Sequence, residues 1–206
     1  MTKVIIDQLG KGKKNVTLSV NKGESLVYIL LGIKPGDKNV IVELNGREAQ
    51  AKILGIILGK EGKSNVKTFQ HHRAPNTKSD LLIKGAFFNK ANYNYQGMIR
   101  IDPKAQKSNA YQKNKNLILS DQARVDTSPK LEILADDVRC THGATVGRID
   151  EENLFYLMSR GIPRKEAEKL IIEGFLKSVI TELDDDSKKK IEKVLDKEIN
   201  KLSKNV

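Results

Sequence analysis

The sequence predicts a mainly β protein that ends in helices. Three observations carry that prediction. Short apolar runs, separated by Gly, Asn, Asp and Lys, recur up to about residue 149. No helical stripe appears in that part. From residue 150 onward, apolar residues recur at helical spacing instead. The predicted division is a β core over 1–149 and a helical segment over 150–206.

The β runs follow in order: Val40–Val42, Ile53–Leu58, Leu81–Ile83, Met98–Ile101, Leu117–Leu119 and Leu131–Leu134. Many short strands at fairly regular spacing fit a sandwich, a barrel or a β-helix, and periodicity alone does not choose among them. Polar clusters beside the runs, Ser108-Asn109, Asn114-Lys115-Asn116 and Asp126-Thr127-Ser128, suit the stacked turns of a solenoid. No fixed repeat length accompanies them. The first 35 residues carry no assignment.

Asp150 is a predicted N-cap, with Glu151 and Glu152 in the first turn where carboxylates suit the helix dipole. Leu154, Phe155, Leu157 and Met158 form an apolar face. Gly161 predicts the stop, and Pro163 a first-turn position in the next helix. That helix is expected to run to about Leu183, with Ala167, Leu170, Ile171, Phe175, Val179 and Leu183 on its stripe. Asp184 to Asp186 break it. Ser187 is the expected cap of a last helix, whose apolar side is Ile191, Val194, Leu195, Ile199 and Leu202. Three helices of this size cannot enclose a large core, so they must dock on the β part or on a partner.

The chain has 206 residues, 38% hydrophobic and 31% charged, with a net charge of +11. No apolar run approaches the roughly 18–20 residues of a membrane helix. The N-terminus has no signal-peptide core, and one cysteine cannot form an intramolecular disulfide. A cytoplasmic location is the expectation. Lysine supplies most of the positive charge and is spread along the chain without an aromatic–basic motif. The charge therefore reads as a lysine-rich surface rather than a nucleic-acid site.

The chemistry-bearing stretch is RCTHGATVGRID, residues 139–150, which holds the single cysteine, Cys140, and His142. On a strand, two residues two apart share a side. Thiolate and imidazole both ligate zinc, iron and iron–sulfur clusters. Two ligands are too few for a closed site, but a two-fold dimer would supply two more. Simple packing of the cysteine is the competing reading. A catalytic thiol would need His142 as base and a third, orienting group, and no cysteine-protease signature is present. His71 and His72 are adjacent and are expected in a turn or on the surface. No phosphate-cradling GxxxxGK[ST] motif occurs.

The run AQKSNAYQKNKNLILSDQARVDTSPKLEILADDVRCTHGATVGRIDEENLFYLMSRGIPRKEAEKLIIEGF resembles the core and C-terminal part of the SufB/SufD family, scaffold subunits of SUF iron–sulfur cluster assembly. VKTFQHHRAPNTKSDLLIKGAF and NYQGMIRI fit the preceding coils of the same family. The resemblance implies a right-handed parallel β-helix followed by a C-terminal helical segment. It implies that such subunits pair through their β-helices, that the helical segment binds a SufC-type ABC ATPase, and that a transient iron–sulfur cluster assembles at the paired interface. The subunit itself is then not an enzyme and holds no tightly bound cofactor. CTHGAT looks SufD-like, which implies a place for His142 at the pairing interface. The SufB pattern has glutamate where this chain has Gly143, and its essential cysteine falls near Ala123. By resemblance, the ATPase-contacting neighbourhood comprises Ile162, Pro163, Ala167, Ile171, Gly174 and Phe175. The expected partners are that ATPase and either a SufB-like subunit or a second copy of this chain. The alternative expectation is a homodimeric cluster or metal carrier using Cys140 and His142 from both subunits. The β pattern begins nearer Met1 than is usual in the family.

Overall fold

A computed structural model describes residues 2–202. Eleven strands precede three helices: β1 (Thr2–Gln8), β2 (Asn15–Val20), β3 (Ser25–Gly32), β4 (Asp37–Leu44), β5 (Gln50–Gly59), β6 (Lys63–His72), β7 (Lys78–Phe87), β8 (Asn92–Ile101), β9 (Asn109–Ile118), β10 (Arg124–Ile133) and β11 (Arg139–Gly147), then α1 (Glu151–Ser159), α2 (Arg164–Lys177) and α3 (Asp185–Leu202). Each inner strand pairs in parallel with the strand two before it and the strand two after it, and β1, β2, β10 and β11 pair with one of these. Odd strands form one sheet, in the order β1-β3-β5-β7-β9-β11, and even strands the other. The chain thus winds as a two-sided β-solenoid, two strands to a turn, followed by the helices. Three of the strands, β1 to β3, lie in the unassigned first 35 residues.

The strand positions in register, Ser25, Gln50, Lys78, Asn109 and Arg139, are unequally spaced in sequence. Strands β5 to β10 are each 10 residues long, so the corners absorb the variation. That is why no repeat length is readable. One corner nonetheless repeats a conformation. Gly23, Glu48, Asn76 and Lys107, each two residues before an odd strand, have positive φ. Their amides climb from coil to coil: Gly23 N donates to Arg47 O, Glu48 N to Pro75 O, Asn76 N to Gln106 O and Lys107 N to Asp137 O. Nearby, Gly46 admits no side chain, since a Cβ would lie 1.9 Å from Lys22 N.

The solenoid interior changes along its length. In the early coils it is filled by Tyr28, Leu30, Val40, Val42, Leu44, Ile53, Ile57 and Val66. In the later coils the inward positions turn polar: Thr68, Gln70, His72, Gln112, Asn114 and Asn116 are all buried. Thr68 bonds Tyr95 Oη at 2.8 Å, Gln70 Nε2 donates to Gln112 Oε1 at 3.3 Å, and Asn116 Nδ2 donates to Asn114 Oδ1 at 2.7 Å. Gly97 makes room for this layer, because a Cβ there would come within 2.4 Å of Gln112 Nε2. At the other end Lys38, fully buried, donates to Asp7 Oδ2 at 2.9 Å and to the carbonyls of Lys13 (2.9 Å) and Lys11 (3.3 Å).

His71 and His72 correct an expectation. Both lie at the end of β6 and both are buried. His72 points inward, between Thr77 Oγ1 (2.7 Å) and Ser79 Oγ (2.8 Å). Burial, with a smaller contribution from His71, depresses its pKa to about 4. His71 lies on the outer face, stacked on Phe69, accepting from Arg73 Nε and bonded to Asp102.

The helices dock on the outer face of the odd-numbered sheet. Ile172, Leu176, Val179, Ile180, Ile191, Leu195 and Ile199 pack against Ile29, Leu31, Leu54, Ile56, Leu58 and Ala86. Burying each such side chain is worth about 1.5–3 kcal/mol. Asp150 caps α1 as expected, its Oδ1 accepting from Glu152 N at 2.9 Å, and Gly161 at φ +84° follows the helix end. Four details differ. Pro163 is the residue before the first helical turn rather than within it, and α2 ends at Lys177 rather than near Leu183. Its inner stripe is Ala167, Ile172 and Leu176, while Leu170 is 44% exposed, because the sheet meets the neighbouring face of the helix. Asp184, not Ser187, caps α3: Ser187 N donates to Asp184 Oδ1 at 2.9 Å.

Candidate pairing edge and docking surface

Cys140 and His142 sit on β11, the last strand of its sheet, which among the described residues pairs only with β9. The other terminal strand of this end, β10, pairs among the described residues only with β8. One side of each strand therefore offers unpaired backbone groups, a template for a further strand or chain. Pro129, in the middle of β10, is tolerated on such an edge, where a missing N–H breaks no inner ladder.

The alternation along β11 brings Cys140 and His142 to the same side. Cys140 is in register with Ala110 and His142 with Gln112, both fully buried inward residues. Tyr28, Ile53, Leu81, Gln112 and His142 thus form one inward column through five strands. Each of the first four is covered by the next coil. His142 has no coil above it and is exposed. The same holds for Val146 (43% exposed) and, on β10, Ile133 (41%). The end of the solenoid is its own uncovered interior.

The two side chains differ in environment. Cys140 is half-buried against the small apolar cluster of Ile99, Ile101, Ala105, Ala110 and Ala135. Burial pushes its thiol pKa up, which disfavours the thiolate that would attack or ligate. Among the described residues, no group of three or more His, Cys, Asp or Glu is placed to hold a metal. One protomer supplies the two candidate ligands and no complete set. Ala123, where the SufB cysteine would fall, is a buried corner residue just ahead of β10.

The helices carry a second surface. Phe155 (72%), Tyr156 (56%) and Met158 (40%) on α1, and Leu170 (44%) on α2, leave large apolar side chains in solvent. Four large apolar side chains left in solvent on two consecutive helices are the kind of exposure that marks an interaction surface. Of the residues named from sequence, Pro163 and Gly174 are exposed, and Ile162, Ile171 and Phe175 are partly buried. Ala167 is fully buried, so its methyl offers nothing to a partner. Phe175 is already engaged, with the Lys84 ammonium 4.7 Å from its ring centre. Phe155 and Met158 were readable as part of an apolar helix face. Tyr156 was not, because the signal that it stays uncovered is three-dimensional.

A family model, SUF system FeS cluster assembly, SufBD core domain, matches residues 13–175. The chain belongs to the SufBD core family. Within that family it is SufD-like. It is 37% identical over 152 residues to the Escherichia coli iron–sulfur cluster assembly protein SufD, covering 73% of this chain and 36% of that protein. To Bacillus subtilis SufD it is 41% identical over 129 residues, 62% of this chain and 30% of that protein. A SufBD family protein of Synechocystis is 30% identical over 173 residues, 81% of this chain and 38% of that one. The chain thus spans about a third of the length of the curated relatives it matches. No described helix is long and apolar enough to cross a membrane.

Proposed function

We propose that this chain is a non-catalytic scaffold component of SUF iron–sulfur cluster assembly. It pairs through the β10/β11 end of its solenoid with a SufB-like subunit or a second copy, and it binds a SufC-type ABC ATPase through its helices. The observation that carries the reading is the uncovered end in a SufBD-family fold: an edge strand holding His142 and Cys140, with too few ligands for a site of its own. A partner edge would cover the exposed interior and bring the missing ligands. The cluster is then cargo held at the joint. The helices suit the ATPase role because the apolar side chains of Phe155, Tyr156, Met158 and Leu170 stay uncovered after docking.

Co-expression with a SufB-like subunit and a SufC-type ATPase tests both surfaces separately. The unaltered chain should co-purify with both. Phe155→Asp with Leu170→Asp should release the ATPase and retain the SufB-like subunit, and Val146→Asp should do the reverse. Retention of both partners by both variants would sink the assignment of surfaces; retention of neither by the unaltered chain would sink the role.

The two-ligand edge also supports a second reading, a homodimeric cluster carrier. Anaerobic reconstitution with iron and sulfide, followed by sedimentation, separates the two. A dimeric, coloured species that loses its absorbance in Cys140→Ala or His142→Ala favours the carrier. His142→Ala should change stability by no more than about 0.5 kcal/mol, since the side chain is exposed, so any lost binding reads as function.

A further inference from the structure

A groove of about 290 Å³ lies between the outer face of the odd-numbered sheet and the segment following α2. It is distinct from both surfaces above. Lys84, Lys113 and Lys115 line it, together with Tyr111, Ser178 and Thr181. Lys84 on β7 and Lys115 on β9 are direct register partners. Lys113 is two residues along β9 and so shares their face. Like charges set opposite each other destabilise a sheet. Yet among the described residues no carboxylate forms an ion pair with any of the three. Two carboxylates also line the groove, Glu182, engaged by Lys52, and Asp80, the register partner of Lys52 and Tyr111.

Two of the ammonium groups are also held in place. Lys84 donates to Ser178 Oγ and lies over the Phe175 ring. Lys113 lies over the Tyr111 ring at 6.0 Å. The crowding is felt: burial first, then Lys115 and Lys113, push the pKa of Lys84 down. Three adjacent cations lining one open groove, two of them against aromatic rings, form an arrangement that a multivalent anion would relieve.

We infer that this groove binds a phosphate group, either free inorganic phosphate or the phosphate of a small ester, bridged by Lys84, Lys113 and Lys115. The volume leaves room beside the phosphate for a small organic remainder against Tyr111. The site is independent of the SUF role proposed above.

The test compares the full chain with Lys113→Gln/Lys115→Gln at matched ionic strength in chloride, inorganic phosphate and glycerol phosphate. In chloride the double variant should melt at or above the parent, because repulsion is relieved. In phosphate the parent should gain more melting temperature than the variant, and calorimetric titration should show at least a 10-fold weaker affinity in the variant, about 1.4 kcal/mol. Comparable affinity for the two ligands identifies free phosphate as sufficient; tighter binding of glycerol phosphate identifies an ester. Phosphate raising both proteins equally would be generic ion exclusion and would overturn the proposal. So would a variant that melts below the parent in chloride, since the lysines would then be structural.

Discussion

Replacing Lys38 by Met tests the account of the solenoid's first coils. The side chain is fully buried, and its ammonium bridges Asp7, Lys11 O and Lys13 O. Met fills most of the same volume and donates nothing. Removing one partner of a buried ion pair costs about 3–5 kcal/mol. The lower end applies here, because Asp7 is 21% exposed and keeps the Tyr28 hydroxyl at 2.7 Å. A loss of about 3 kcal/mol corresponds to a fall in melting temperature of roughly 6–12 °C for a chain of this size. The pH dependence is more diagnostic. Desolvation pulls the Asp7 pKa up, but hydrogen bonds from Lys38, Tyr28 and the Gln8 amide outweigh it, so the net shift is downward. A carboxylate with a depressed folded pKa stabilises fully above its unfolded value, about 3.9, and loses that stabilisation as pH falls through the folded value. Without Lys38 the desolvation is less opposed and the Asp7 pKa rises. The gap between parent and variant should therefore be widest near pH 7 and narrow below about pH 4. Circular-dichroism melts at pH 7, 5 and 3 would show it. A gap below about 1 kcal/mol at pH 7, or one that persists undiminished at pH 3, would refute the reasoning.

Two further predictions concern other layers. His72, with a folded pKa near 4, should contribute stability that is complete above about pH 6.5 and lost as pH falls from there to 4. His72→Gln should flatten the melting-temperature curve across that window relative to the parent, and identical slopes would argue against the inward placement. Leu176→Ala, at a fully buried position between α2 and the sheet, should cost about 2–5 kcal/mol and expose the helices to limited proteolysis ahead of the strands. An unchanged digestion pattern would mean the helices do not rely on that contact.

Much of the fold was legible because strands and helices leave different periods. The runs at Ile53–Leu58 and Leu81–Ile83 became β5 and β7, and Asp150 and Gly161 mark α1 as their residue types predict. The choice of a solenoid over a sandwich or barrel came from family resemblance. The corner conformation that defines the coils is carried by Gly, Glu, Asn and Lys in turn, so no residue type repeats. The apolar runs Val4–Ile6 and Leu26–Leu31, within the unassigned first 35 residues, became β1, which is mostly exposed, and β3. On α2 two apolar faces compete, one through Ile171 and Phe175 and one through Ile172 and Leu176. Only the position of the sheet decides between them. The pairing of Cys140 with His142 on one side followed from the two-residue period. That the side is the solenoid's uncovered interior did not, because it depends on where winding stops.

The change of filling along the solenoid has a consequence for motion. In a stack where each coil touches only its neighbours, opening begins at the end with the weakest neighbour contacts. Here the apolar mass sits under the docked helices and in the first coils, and the last coil rests on amides and the small Ile99 cluster. Backbone amides of β10 and β11 should thus exchange with solvent far sooner than those of β5 and β7. The strand that carries His142 is the one the protein can most cheaply lift, so an incoming edge meets a surface able to adjust its register before it locks.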